Sequence, residues 1–120
     1  MSEGAQITFT VSGKAMGVIH GSEIYLDPAK YDDTDPAVAL ASSALRRAES
    51  RRRGKGWSFV ITCEPEAAEV IRDFCATVGQ SYLGGSDDPE ARAEGRALFT
   101  AEERIRAAIQ HGRELAERGM

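Results

Sequence analysis

Hydrophobic and polar residues alternate over residues 6–12. Ile7, Phe9 and Val11 fall on one face and Thr8, Thr10 and Ser12 on the other. That period predicts a half-buried antiparallel strand. Gly13 and Lys14 read as a turn. Residues 15–20 read as a second strand with Met16 and Val18 on one face, and residues 23–26 as a short third one. Such short runs joined by tight turns predict a meander.

The pattern then becomes helical. Asp35 precedes Pro36, a capping side chain before a proline at the first helical position. Val38, Ala41, Leu45 and Ala48 form a stripe, and Gly54 reads as the stop, which extends this helix to Arg53. Residues 57–63 are aromatic and β-branched with bulk on both faces, which predicts a central strand. Pro65 and Glu66 open a helix with Ala67, Val70, Ile71, Phe74 and Val78 inward and Gly79 at its end. Residues 82–86 read as a loop. Asp88 and Pro89 start a short helix, and Thr100 with Glu103 forms a capping box for a last helix running to about Arg118. Its apolar stripe is thin: Ile105, Ala108, Ile109 and Leu115. The expected fold is α+β. It has a small, mainly antiparallel sheet, made of a three-stranded N-terminal meander plus one later central strand. This sheet packs against helices, and the last third of the chain is helical.

Size and charge narrow the class. A chain of 120 residues suits one domain, spanning 1–120, with one core. The start of the chain lacks a basic and then apolar leader, and no run is long and apolar enough for a membrane span. A soluble cytoplasmic protein with no membrane partner is expected. Cys63 and Cys75 lie among apolar neighbours and are expected to be reduced core thiols.

Recognisable chemistry is sparse. His20 and His111 have no local partners of a catalytic grouping, and each reads as solvent-facing. Gly54-Lys55-Gly56 resembles a fragment of a phosphate loop. A helix precedes it, a strand follows, and no hydroxyl follows the lysine. Asp27, Asp32, Asp33 and Asp35 lack the glycine and twelfth-position acid of a calcium loop and read as a solvated capping segment. No cofactor or metal is expected. There is no ribonucleoprotein aromatic motif, no zinc spacing and no helix-turn-helix pattern.

Charge segregation stands out. Residues 38–56 carry a net +5, against −4 for residues 1–37 and −5 for residues 57–120. The cations are Arg46, Arg47, Arg51, Arg52, Arg53 and Lys55. Cations at a helix end face the negative pole of its dipole, which accounts for one or two of them. The remainder point to a site for an acidic partner or a polyanion, since the arginine fork suits carboxylate and phosphate alike. Trp57 follows at once; core packing is its expected role, and stacking on a base the alternative. The expected function is a non-enzymatic accessory or regulatory domain that binds a macromolecular partner. The alternative is nucleic-acid binding through the arginine segment. A homodimer sharing helical surface is a further expectation.

Overall fold

A computed structural model describes residues 6–21, 36–54, 56–85 and 87–118. Among them are three strands and four helices: β1 (Ile7–Ser12), α1 (Gly13–Gly21), α2 (Pro36–Arg46), β2 (Glu49–Arg53), β3 (Gly56–Cys63), α3 (Pro65–Gly85) and α4 (Pro89–Arg118). The α+β expectation holds. The sheet is antiparallel throughout, in the order β1-β3-β2, so β3 is the central strand that its composition predicts.

The expected N-terminal meander is not formed. Residues 15–20 belong to α1, not to a second strand. Their buried members are Ala15, Met16, Val18 and Ile19, a helical spacing that the alternation of Met16 and Val18 concealed. The supposed turn is a helix start, where the Ser12 hydroxyl accepts a hydrogen bond from the Ala15 amide at 3.2 Å. The proposed third strand at 23–26 and the acidic residues at 27–35 lie outside the described residues.

One face of the sheet is apolar and covered. Ile7, Phe9, Val11, Ile61 and Cys63 are buried there, with Ile7 opposite Cys63 and Phe9 opposite Ile61. Helix α4 lies along β1, α2 touches β3, and α1 packs on β1, β3 and α4; α3 sits on α4 and α2. On the other face Thr8, Thr10 and Thr62 are exposed, and the hydroxyls of Thr8 and Thr62 meet at 2.9 Å.

Two helices are longer than expected. Gly79 is not a stop, because α3 continues to Gly85 and takes in most of the expected loop. A Cβ on Gly79 would lie 3.2 Å from the Gly95 carbonyl oxygen, and one on Gly95 would lie 2.9 Å from Leu83 Cγ. These glycines let α3 and α4 cross closely. Thr100 does not start a helix either. Its hydroxyl donates to the Arg96 carbonyl at 3.1 Å inside the continuous α4.

The inner face of α4 carries a buried acid. Glu102 is only 7% exposed and accepts hydrogen bonds from Arg106 at 2.8 Å and Arg72 of α3 at 3.3 Å. Arg72 also pairs with Glu69 at 2.8 Å. The stripes that suggested a shared helical surface, Ala41, Ala44 and Leu45 on α2 and Ile105 and Ile109 on α4, are buried within the chain. Leu115 is exposed, not part of a stripe.

Candidate partner-binding edge

The arginine segment is divided between two elements. The expected helix to Arg53 ends at Arg46, because residues 49–53 pair with β3. The Arg47 amide donates to the carbonyls of Ser43 and Ala44 and closes α2, while its guanidinium donates to the Ser43 hydroxyl. Arg46 and Arg47 therefore sit at the negative end of a helix, where the dipole accounts for them. Arg51, Arg52 and Arg53 belong to β2, and a helix dipole accounts for none of these three.

Gly54 is a hairpin corner, not a helix stop. Arg53 is in register with Gly56, so the two strands are joined by a two-residue connection that begins at Gly54. Gly54 has φ +57°, the sign that such loops need at their first position and that glycine adopts without strain. The side chain of Arg53 and the whole of Lys55 lie outside the described residues.

Strand pairing separates the arginines by face. Arg51 is opposite Ser58 and Arg52 is opposite Trp57. Side chains alternate along a strand, so Arg51 shares the open face with Glu49, and Arg52 shares the other with Trp57. The Arg51–Glu49 contact is 4.0 Å long between two exposed side chains, weak enough to exchange for a better partner. The Arg52 guanidinium lies 6.0 Å from the centre of the Trp57 ring, at the outer limit of a cation–π contact.

Trp57 corrects the expectation of a core role, since it is 51% exposed. It lies at the start of β3, beyond the buried run that ends the strand at Ile61 and Cys63. A shallow groove opens beside it, lined by Lys14 and Gly17 of α1, by Phe59 and by Glu94 of α4. Gly13 comes so close that a Cβ there would meet the Trp57 carbonyl oxygen at 3.1 Å. Sequence reasoning missed this exposure; the signal was Trp57 following Gly56, the first residue of β3 after the hairpin corner.

Other reactive groups do not join this edge. Cys63 and Cys75 are free and buried. Burial, aided by Glu64, pushes the Cys63 thiol up to about 11, although Arg47 works against it. Burial pushes Cys75 to about 12. His20, in α1 and not at a strand end, presents its ring to Phe59 with centres 6.4 Å apart. His111 is exposed on α4. Among the described residues no group of His, Cys, Asp and Glu is arranged to hold a metal ion. Nor is any helix there long and apolar enough to cross a membrane.

No protein-family model, no curated protein and no solved structure matches this chain.

Proposed function

We propose that this chain is a non-enzymatic accessory or regulatory domain that works by holding an acidic macromolecular partner along β2. One observation carries the reading. Arg51 and Arg52 lie on the outer strand of the sheet, exposed and in no helix, inside a chain that is acidic on both sides of this segment. They point to opposite faces of the strand, and helix capping gives no reason for either cation here. An acidic partner supplies a counter-charge on each face.

Direct nucleic-acid binding is the second reading, supported by the half-exposed Trp57 ring beside Arg52. Exposed aromatics next to cations stack on single-stranded bases. The open face of the sheet offers threonines instead of further aromatics, so the acidic polypeptide is the better fit.

Trp57 is the single tryptophan, and its fluorescence reports on this edge. Titration with poly-L-glutamate and with a single-stranded oligonucleotide across a salt series tests the reading. Poly-L-glutamate is expected to bind with an affinity that falls as salt rises. Tight binding of the oligonucleotide alone would move the assignment to nucleic acid. Absence of both at low salt would end the proposal.

A further inference from the structure

We propose that β2 receives its partner as a fourth strand: an acidic, extended polypeptide segment that adds to the outer edge of β2, which pairs with no other strand among the described residues. This rests on reading the arginine edge as the binding site, and it adds the geometry of the bound partner.

The register supplies the backbone half of the argument. Arg53 and Gly56 flank the two-residue loop, so this pair exchanges both of its hydrogen bonds. Antiparallel pairs alternate between hydrogen-bonded and non-hydrogen-bonded. Arg51 and Glu49 therefore turn their backbone groups toward β3, and Ser50 and Arg52 turn theirs away. Among the described residues no strand pairs with that outer edge. It offers the amides and carbonyls of Ser50 and Arg52, the requirement for strand addition.

Side chains supply the selectivity. A bare edge is a hazard, because any extended chain can pair with it. Two β2 edges paired about Arg51 would set this cation of one copy against the same cation of the other, which disfavours a second copy of this chain in that register. The same charges favour an acidic strand. Arg51 stands on the open face and Arg52 on the opposite one, so a strand with acids on both faces meets a cation on each. Glu49 is the one acid on this strand, and its ion pair among the described residues is with Arg51. A nucleic-acid backbone has phosphates for the arginines but no peptide ladder for the edge.

The test separates charge from backbone pairing. The probe is a capped hexapeptide of threonine and valine with two adjacent central glutamates, titrated against the full chain while Trp57 fluorescence is followed. Two further versions carry N-methyl groups on alternate residues, one in each frame. Charge is the same in all three, but in each frame a different set of amides is lost. Ser50→Pro removes one outward amide from the protein and keeps every arginine; an edge strand tolerates proline at an amide that faces solvent. Strand addition predicts that one N-methyl frame binds like the parent peptide. The other frame and Ser50→Pro should each lose roughly tenfold or more in affinity. If Ser50→Pro does not fold, the two N-methyl frames still decide the question. Equal binding by the parent and both frames would overturn strand addition while leaving the arginine edge as a charge-driven site. Failure of both the peptide and poly-L-glutamate at low salt would overturn the edge itself. An oligonucleotide that binds where the peptides do not would replace the polypeptide partner with a nucleic acid.

Discussion

Arg52 and Trp57 face each other across the β2–β3 hairpin, with the guanidinium 6.0 Å from the centre of the indole ring. The contact joins the charge of the edge strand to the fluorophore beside it. At an exposed site such a pair contributes about 0.5–1 kcal/mol. Arg52→Ala is expected to destabilise the fold by no more than that and to shift Trp57 emission to longer wavelength, as the ring gains water. An unchanged spectrum would show that the two side chains do not meet in solution.

Glu102 is expected to contribute to the loss of stability in acid. Hydrogen bonds from Arg106 first, and then from Arg72, hold its carboxyl below the ordinary value of 4.5, although burial opposes them. A carboxyl depressed in the folded state adds stability above its unfolded pKa and loses it as pH falls through the folded value. Stability should therefore decline below about pH 4.5 as this carboxylate is protonated. Glu102→Gln is expected to cost about 1–3 kcal/mol at neutral pH, the usual worth of hydrogen bonds to a charged group, and to flatten this acid limb. Urea unfolding across a pH series measures both effects.

Two glycines in helices should respond in opposite directions. Gly95→Ala puts a Cβ 2.9 Å from Leu83 Cγ and 3.1 Å from the Gly79 carbonyl oxygen, so α3 and α4 must separate. Overpacking of this kind costs about 1–3 kcal/mol, more than the gain in helix propensity. Gly17→Ala meets nothing within 4 Å, and should raise stability by about 0.4–1 kcal/mol. Thermal melts of the two variants check the pair.

The thiols should report on opening of the core. Cys63 and Cys75 are fully buried, with pKa values pushed to about 11 and about 12. Their reactive thiolates are scarce at neutral pH, and labelling must wait for the chain to open. Thiol titration is expected to be slow in native buffer and complete in denaturant. Ionisation favours the unfolded chain once pH passes the ordinary thiol value of 9.0, so stability should also fall as pH rises from there toward about 11. Fast labelling of either cysteine under native conditions would contradict the packing.

The sequence carried some of these elements openly and hid others for physical reasons. Strands β1 and β3 were legible because alternation and β-branched bulk leave few alternatives. The helix starts at Pro36, Pro65 and Pro89 were legible because proline fixes the first turn. Helix α1 was not, since residues 15–20 fit a period of two through Met16 and Val18 and a helical period through Ala15, Met16 and Ile19. Gly79 resembled a stop but marks a close helix crossing, which depends on a partner sixteen residues away at Gly95.

The candidate site was half legible. Charge segregation picked out the segment of the chain that holds it. Its conformation was hidden, because arginine favours helices by intrinsic propensity and only pairing with β3 makes residues 49–53 a strand. In a helix running to Arg53, Arg47 and Arg51 would lie four apart on one stripe. The strand instead leaves Arg47 at the end of α2 and sets Arg51 and Arg52 on opposite faces of one sheet edge.

That division gives the most direct test of the central claim. Arg51→Ala/Arg52→Ala and Arg46→Ala/Arg47→Ala each remove two positive charges, the first pair from the sheet edge and the second from the end of α2. Binding of poly-L-glutamate is to be measured for both at low and high salt, with circular dichroism to confirm the fold. The account predicts that the edge variant loses roughly tenfold or more in affinity, while the helix-end variant keeps most of its binding. Equal losses in the two variants would show that net charge, not the edge of β2, holds the partner, and would contradict the account.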